Sequence, residues 1–288
     1  MPTVRANGLD VAYLLEGAGP PMVLLHGATS SGAEDWSAQR PAFRQAFTLH
    51  IPDARGHAGT RWDAADGWSA EMLVDDLAAF VDALGLQSFH LVGYSMGGYT
   101  ALRYAIAHPE RLRTLLIVGI TVQRQPRTNV ARRLMDPPRI DAQDPAWAAA
   151  LDRRHGPGQG EGAWRRLLPA IAEDVATQSL ISPAELRAVT MPTLLVVGDR
   201  DVFVPLDQAV GLVRQLPDGR LCIVPDCDHQ VMASRPGIFN AVAETFYRTT
   251  EAEAIARADG RDVAGGPSGT RIRGGRAPIP ASMGDHGI

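Results

Sequence analysis

The sequence contains no lysine, because all 28 of its basic residues are arginines. This absence excludes Schiff-base catalysis, which needs a lysine amine, and a phosphate-binding loop that depends on a lysine. Acidic residues outnumber the arginines, and the formal net charge of −4 gives no support to nucleic-acid binding. We therefore expect no nucleic acid among the partners of this chain.

Cysteine is scarce, and long apolar runs are absent. Two cysteines, Cys222 and Cys227, are too few for a disulfide framework and favour a reducing compartment. No apolar run approaches the roughly 20 residues of a membrane-spanning helix, and no secretory signal is visible. We also find no zinc-type cluster of ligands. We expect a cytoplasmic protein without a membrane partner, a metal or an organic cofactor.

The remaining composition is ordinary for one large α/β domain with room for an insertion. The 288 residues are 45% hydrophobic and 21% charged. Apolar runs alternate with helix-like segments, which predicts a mostly parallel, doubly wound sheet with helices on both faces. A hairpin with its turn at Asn7-Gly8 precedes them. Ser69 is a predicted cap for a helix over residues 70–84, with Asp76 on its solvent face. The predicted strands are 21–25, 47–51, 89–92, 112–118, 193–197 and 220–224.

The stretch 91–98, Leu-Val-Gly-Tyr-Ser-Met-Gly-Gly, has the strongest functional signal. A strand-like run, a Gly-x-Ser-x-Gly turn and a helix-like segment follow one another there. In this pattern the serine sits on a strained turn with its hydroxyl exposed above the sheet. The following helix directs its N-terminal N–H groups to the place where an oxyanion would develop. Ser95 is therefore the predicted nucleophile.

A serine nucleophile needs a base to take its proton and a carboxylate to orient that base. Among the histidines after Ser95, only His229 follows a predicted strand, which makes it the candidate base. Two acids, Asp199 and Asp201, follow the preceding strand. The order of the residues leaves both of them open as the orienting acid.

Over residues 3–250 the chain resembles the α/β-hydrolase fold superfamily. The matching motifs are His26-Gly27, Asp53-x-Arg55-Gly56-His57, the Gly-x-Ser-x-Gly around Ser95, Gly198-x-x-Asp201-x-x-x-Pro205 and the late His229. The resemblance implies that Ser95 is the nucleophile, His229 the base and Asp201 the acid. It also implies an oxyanion hole made by the backbone N–H groups of Ala28 and Met96.

The sequence departs from the family's usual pattern in two loops. Ala58 stands where the Arg-Gly-His loop normally has another glycine, and Ser234 replaces an acidic residue often found five positions after the histidine. The small residues usual before that histidine are replaced by Asp226-Cys227-Asp228. We interpret Cys227 as a packing residue rather than a reactive thiol.

Residues 121–190 interrupt the alternation of strands and helices. Here we expect short helices, inserted after the sixth strand and lying over the strand ends as a lid. Residues 1–120 and 191–250 would then form the core, and the Gly- and Arg-rich residues 251–288 a disordered tail. The arginines of the insertion are interpreted either as a solvated helix face or as an attraction for an anionic substrate. Candidate substrate contacts are His26, Tyr94, Trp147, Trp164, Arg153 and Arg154, and we interpret His26 and His57 as structural rather than catalytic.

The predicted function is hydrolysis of a small ester, lactone or thioester through an acyl-enzyme. Two alternatives stay open. C–C bond hydrolases and the lyase of menaquinone synthesis have motifs that resemble these. The arginine-rich insertion suits a substrate that bears a carboxylate. The other alternative is a non-catalytic protein that binds a ligand or partner and keeps a vestigial triad. The expected partner is a small-molecule substrate, and the expected state is a monomer or a homodimer.

Overall fold

The computed structural model describes residues 1–258, through which an eight-stranded sheet runs in the order β1-β2-β4-β3-β5-β6-β7-β8. The strands are β1 (Thr3–Ala6), β2 (Leu9–Glu16), β3 (Pro21–Leu25), β4 (Thr48–Pro52), β5 (Phe89–Tyr94), β6 (Leu112–Val118), β7 (Thr193–Gly198) and β8 (Gly219–Val224). The helices are α1 (Gly32–Asp35), α2 (Arg40–Phe43), α3 (Ala70–Ala83), α4 (Met96–Ala107), α5 (Arg127–Leu134), α6 (Pro137–Gln143), α7 (Pro145–Gln159), α8 (Trp164–Thr177), α9 (Pro183–Leu186), α10 (Leu206–Val213), α11 (Val231–Ser234) and α12 (Pro236–Ala258).

Strands β3 to β8 pair in parallel, and only the start of the sheet is antiparallel. There β1 pairs with β2, and β2 pairs with β4. Asn7 and Gly8, the two residues of the hairpin turn, have φ values of 45° and 76°. Positive φ at both positions is what a tight two-residue hairpin requires. The prediction of a mostly parallel, doubly wound sheet is confirmed.

Helices cover both faces of the sheet because successive side chains of a strand point to opposite sides. In β6, Leu115 and Ile117 join the cluster that packs against α3, α4 and α10. Their neighbours Leu116 and Val118 join the cluster formed with α2 and α12. Burying an aliphatic side chain of this size stabilises the fold by about 1.5–3 kcal/mol. The two layers fix the edge where β3, β5 and β7 end, and the site lies at that edge.

Five helices, α5 to α9, lie between β6 and β7. Their apolar side chains, including Trp164, Leu167 and Ile171, form a third cluster that also takes in Ala28 of the core and packs against Met96. This contact places the inserted helices over the loops that follow β3 and β5. Helix α7 continues through Pro157 to Gln159. The side chain of Gln159 anchors this extension by donating to the carbonyl groups of Ala58 and Thr60.

Two expectations about exposed segments were wrong. Asp76, predicted to face solvent on α3, is buried and pairs with Arg55 through contacts of 2.5 and 2.6 Å. Helix α12 continues to Ala258, past residue 251, and Glu253 pairs with Arg220 at 3.0 Å. The rest of the predicted tail, residues 259–288, lies outside the described residues. Within residues 1–258, no helix is both long and apolar enough to cross a membrane.

Candidate functional site

Ser95 lies between the last residue of β5 and the first residue of α4, on a strained turn. Its φ and ψ are 51° and −113°, a combination that a residue with a side chain rarely adopts. Two backbone hydrogen bonds of 2.9 Å hold the turn. The Ser95 N–H donates to the Val118 carbonyl, and the Tyr99 N–H donates to the Ser95 carbonyl. The sheet and the helix therefore impose the conformation that presents the hydroxyl.

Two glycines flank Ser95 because the backbone comes too close for a side chain. A Cβ on Gly93 would lie 2.3 Å from the Gly97 carbonyl oxygen, and one on Gly97 would lie 2.6 Å from the carbonyl oxygen of His26. Contacts this short would force the strand and the helix apart. The Gly-x-Ser-x-Gly spacing is thus a packing requirement of the turn.

Ser95, His229 and Asp201 form one chain of hydrogen-bonding contacts. The Nε2 atom of His229 lies 2.9 Å from Oγ of Ser95, and Nδ1 lies 2.7 Å from Oδ2 of Asp201. The Asp201 side chain is fully buried, and its Oδ1 accepts the N–H groups of Phe203 and Val204. Because the carboxylate can only accept, Nδ1 of the neutral imidazole has the proton and Nε2 is free to accept from the serine hydroxyl. This arrangement can activate a nucleophile.

Asp199 and Asp201, both left open by residue order, occupy different surroundings. Asp199 is exposed, and its Oδ1 accepts the backbone N–H of Cys227 at 3.0 Å. That hydrogen bond is the main reason why the pKa of Asp199 lies below its ordinary value. Asp199 therefore supports the loop that precedes His229, whereas Asp201 reaches the imidazole itself.

Aromatic rings and a close backbone hold the imidazole of His229 in place. Its centroid lies 4.3 Å from that of Phe203 and 5.2 Å from that of Tyr94. Gly119, at a φ of 62°, approaches so closely that a Cβ there would lie 2.9 Å from the His229 ring. Cys227 is buried in the core cluster, and burial raises the pKa of its thiol, which agrees with a packing role.

The backbone N–H groups of Ala28 and Met96 are free to receive an oxyanion. Both residues line the cavity next to Ser95, and within residues 1–258 neither N–H donates a hydrogen bond. Met96 is the first residue of α4, where helical N–H groups are unpaired and the dipole is positive. The Ala28 loop is fixed by Asp35, which accepts the neighbouring Gly27 N–H at 2.8 Å. His57 also holds this loop, because its Nε2 lies 2.8 Å from the Ala28 carbonyl oxygen.

Two spaces open on Ser95 and His229. The inner cavity has a volume of about 60 Å³ and is walled mainly by apolar side chains of the core and of α5 and α8. They include Leu73, Ile120, Ala131, Met135, Ile171 and Val175. The outer cleft has a volume of about 310 Å³ and is bordered by Tyr94, Trp147, Arg200 and Asp228. A bound carbonyl group at Ser95 could therefore extend in both directions.

The structure brings two of the six predicted substrate contacts to these spaces and holds the others elsewhere. Tyr94 and Trp147 border the outer cleft. Trp164 is buried among the inserted helices, where its indole N–H donates to Asp152 at 3.0 Å. His26 is also buried. Its Nε2 accepts the Ala54 N–H at 2.9 Å, so its Nδ1 donates to the Gly27 carbonyl at 2.8 Å, and both ring nitrogens are used in holding loops.

Neither of the two arginines predicted to contact substrate faces Ser95. Arg153 is exposed to solvent. Arg154 donates to Glu34 at 2.6 Å and to the carbonyl of Thr29, so it ties α7 to the loop that contains Ala28. A different arginine of the insertion, Arg127, lines the inner cavity. No spacing or motif in the sequence distinguishes Arg127 from the other arginines of residues 121–190.

Metal-ligating side chains do not gather at this site. No group of three or more His, Cys, Asp or Glu residues within residues 1–258 is arranged to hold a metal ion. The groups that converge on the site are a serine hydroxyl, an imidazole, a carboxylate and two backbone N–H donors. These are the groups that acyl transfer through a serine requires.

Known proteins share this architecture over most of their length. The model of the alpha/beta hydrolase family matches residues 22–242. The chain is 26% identical to 2-hydroxymuconate semialdehyde hydrolase from Pseudomonas sp. strain CF600, over 88% of this chain and 95% of that protein. It is 29% identical to the pimeloyl-[acyl-carrier protein] methyl ester esterase of Nitrosomonas europaea, over 77% and 94%.

A solved structure shows the same similarity. Est816, an N-acyl homoserine lactone degrading enzyme, matches with a TM-score of 0.70 at 25% identity, over 85% of this chain and 100% of that one. The resemblance predicted from the sequence motifs is thereby confirmed. Hydrolases and an esterase among the relatives favour an enzyme over the non-catalytic alternative. The chain belongs to the alpha/beta hydrolase family, and it is a hydrolytic enzyme.

Proposed function

We propose that this enzyme is a serine hydrolase that cleaves a small ester, lactone or thioester through an acyl-enzyme. The observation that carries the proposal is the chain of contacts from Ser95 through His229 to Asp201, at 2.9 and 2.7 Å. The similarity to an esterase and to a lactone-degrading enzyme supports this choice of bonds. The outer cleft at Ser95, with a volume of about 310 Å³, falls in the size range of small-molecule sites.

The first half of the reaction acylates the serine. As Oγ of Ser95 attacks the carbonyl carbon, its proton passes to Nε2 of His229, and Asp201 stabilises the imidazolium that forms. The negative oxygen accepts hydrogen bonds from the N–H groups of Ala28 and Met96. Loss of one such donor typically costs about 3–4 kcal/mol of transition-state stabilisation. Collapse of the intermediate breaks the bond to the leaving group, which takes the proton from His229.

The second half returns the enzyme to its starting state. His229 takes a proton from a water molecule, whose oxygen attacks the acyl carbonyl and is stabilised by the same two N–H groups. The bond to Oγ of Ser95 then breaks, the serine recovers its proton from His229, and the carboxylic acid leaves. Apart from the substrate and one water molecule, these steps use only Ser95, His229, Asp201 and the two backbone N–H groups.

We assign the acyl group to the inner cavity and the leaving group to the outer cleft. The inner cavity includes Met96, one of the oxyanion donors, and its walls are mainly apolar. In this proposal residues 121–190 act as a lid on the core, because α5 and α8 supply much of the cavity wall. We place the enzyme in the cytoplasm, a choice supported by the two cysteines, Cys222 and Cys227, which are both free.

Hydrolysis of a carbon–carbon bond on the same scaffold is the second candidate. The observation that favours it is the 26% identity to 2-hydroxymuconate semialdehyde hydrolase along 95% of that protein. Both candidates need the same serine, base and oxyanion donors, and they differ in the bond beside the carbonyl group. A substrate panel therefore separates them.

The test combines an active-site label with that panel. A fluorophosphonate should add once to the protein, and peptide mapping should place the adduct on Ser95, because only an activated serine reacts. The panel contains p-nitrophenyl esters, lactones, thioesters and vinylogous diketones. Turnover of one of the first three classes supports the proposal, whereas turnover of the diketones alone favours the second candidate. An unlabelled Ser95 with no turnover in any class contradicts both.

A further inference from the structure

Among the described residues, three that line the inner cavity have buried polar atoms without a partner, namely Trp68, Arg127 and Gln178. Within residues 1–258, Nε and Nη2 of Arg127 and Oε1 of Gln178 are buried and make no hydrogen bond. Both residues line the cavity next to Ser95, and Gln178 is 7% exposed. A buried donor or acceptor without a partner typically costs about 1–3 kcal/mol, and a charged one costs more. A ligand that pairs with these atoms would remove that cost.

Arg127 is held in place by an aromatic ring. Its guanidinium carbon lies 4.8 Å from the ring centroid of Tyr99 on α4. A guanidinium stacked on an aromatic face keeps its N–H edges available in the plane. The edge that contains Nε and Nη2 has two parallel donors, which is the geometry that matches the two oxygens of a carboxylate.

No carboxylate among residues 1–258 neutralises the Arg127 cation. Within the described residues Arg127 forms no ion pair, although Asp174 lines the same cavity. One oxygen of Asp174 accepts the Ala70 N–H at 3.0 Å, and burial raises the pKa of this carboxyl group. Burial likewise lowers the pKa of Arg127. Both shifts have the same cause, a charge removed from water without a partner close enough to compensate.

A second arginine on the same ring provides a comparison. Arg103 also stacks on Tyr99, at 5.3 Å, and its Nη2 contacts the Tyr99 hydroxyl and the Ser179 carbonyl. Arg103 does not border the inner cavity. The two side chains therefore share an aromatic support, but only Arg127 presents unpaired donors to the space at Ser95.

We propose that Arg127, assisted by Gln178, binds a carboxylate at the end of the acyl group remote from the scissile bond. The substrate class is then a half-ester or half-thioester of a dicarboxylic acid. The apolar walls take its methylene groups, and the Gln178 amide can turn its N–H₂ toward the same carboxylate. This assignment rests on the proposed function for the position of the scissile carbonyl at Ser95.

The test compares charged and capped substrates of equal length. Each p-nitrophenyl half-ester of the diacids from succinic to suberic acid is paired with the p-nitrophenyl methyl diester of the same acid. In the diester the remote carboxylate is capped by the methyl group. We expect the wild-type enzyme to prefer one half-ester in kcat/KM by about tenfold or more, as a charge-assisted hydrogen bond provides. Arg127→Gln should lower kcat/KM for that half-ester by about 10- to 100-fold and leave the capped ester little changed.

The matched control is Arg103→Gln, which disturbs the same stack outside the cavity and should leave the ratio of the two substrates unchanged. Equal losses on charged and capped esters in Arg127→Gln would overturn the proposal. If Arg127→Gln fails to fold, the ratio of kcat/KM between each half-ester and its capped ester in the wild-type enzyme decides whether the subsite exists. A wild-type enzyme that prefers the capped ester at every chain length also overturns it.

A binding measurement separates this subsite from the chemistry at Ser95. Calorimetry with the monomethyl ester of adipic acid is performed on Ser95→Ala with and without Arg127→Gln. Binding that is lost on replacing Arg127 supports the subsite even if Ser95→Ala retains turnover and the proposed function fails. Unchanged binding in the double variant rejects the subsite even if the serine chemistry is correct.

Discussion

Asp201 contacts His229 through a 2.7 Å approach of Oδ2 to Nδ1, and the carboxylate that does so is fully buried. Replacement by asparagine keeps the shape but can present an N–H₂ to Nδ1, which favours the wrong tautomer of the imidazole. We expect Asp201→Asn to lower kcat by roughly 10³–10⁴-fold, as in other serine triads. Steady-state kinetics on the best ester of the panel measure the loss.

Asp199→Asn is the matched control for Asp201→Asn. Asp199 is exposed and accepts the Cys227 N–H at 3.0 Å, so its replacement should lower the melting temperature and leave kcat near the wild-type value. The opposite pattern, with turnover lost in Asp199→Asn and kept in Asp201→Asn, would show that the acid has been assigned two positions too late.

Gly119 sets the position of His229 from the side. An added methyl group at Gly119 would lie 2.9 Å from the imidazole and would push it away from Ser95. A displacement of about 1 Å in a catalytic group can cost about 100-fold in rate, so we expect Gly119→Ala to lose kcat on that scale.

Gly85→Ala provides the control for the backbone strain in Gly119→Ala. Gly85 has a similar φ of 66°, but no atom lies within 4 Å of its added Cβ. Both variants introduce a similar backbone strain, but only Gly119→Ala also contacts the imidazole and should lose rate. Equal kcat values in the two variants would mean that the imidazole tolerates the added methyl group.

His155 should make stability depend on pH. It is fully buried on α7, its Nδ1 accepts the Ala58 N–H at 3.1 Å, and burial lowers its pKa to about 2. The unfolded chain, with an ordinary histidine pKa, binds the proton first as the pH falls. The free energy of unfolding should therefore fall as the pH drops below about 6.5, and this histidine should contribute about 2 kcal/mol of the loss by pH 5.

His155→Gln tests this pH dependence, because glutamine can still accept from Ala58 but does not titrate. Urea unfolding at pH 6.5 and pH 5 gives the change in free energy for each protein. The other buried histidines titrate in both proteins, so the difference between the two changes isolates His155. Identical changes in the variant and the wild type would contradict the assignment.

Replacing Arg154 should lower kcat for every substrate by the same factor. It joins α7 to the loop of Ala28 through Glu34 and the Thr29 carbonyl, and it does not reach the inner cavity. We expect Arg154→Gln to lower kcat for charged and capped esters by the same factor, because the Ala28 N–H is held less firmly. The exposed Arg153 is the control, and Arg153→Gln should match the wild type. A loss confined to charged esters would mean that Arg154 contacts the substrate.

Local patterns were sufficient to predict the strands and the turn at Ser95. Apolar runs bounded by Gly-rich turns indicate strands that are buried on both faces of a sheet. Gly93 and Gly97 indicate that the backbone is closely approached around Ser95. The sheet and the position of the serine could therefore be predicted from the sequence.

Tertiary contacts decided what the sequence left open. Asp76 is buried because Arg55, distant in the chain, pairs with it, and a helical pattern alone places an aspartate on the solvent face. Arg127 and Arg154 lie in the same insertion with no difference in local pattern. One borders the cavity and the other binds a loop, because each lies on a different inserted helix, α5 or α7. No periodicity in the sequence shows where each helix packs on the core.

The most direct measurement of the central claim is kcat of purified Ser95→Ala on the best ester of the panel, together with its melting temperature. We expect a folded protein whose turnover is lower by several powers of ten, about 10⁶-fold at the limit set by loss of a triad nucleophile. We also expect no fluorophosphonate adduct. Near-normal turnover by a folded Ser95→Ala would contradict the account, because no other described hydroxyl lies at the contact with Nε2 of His229.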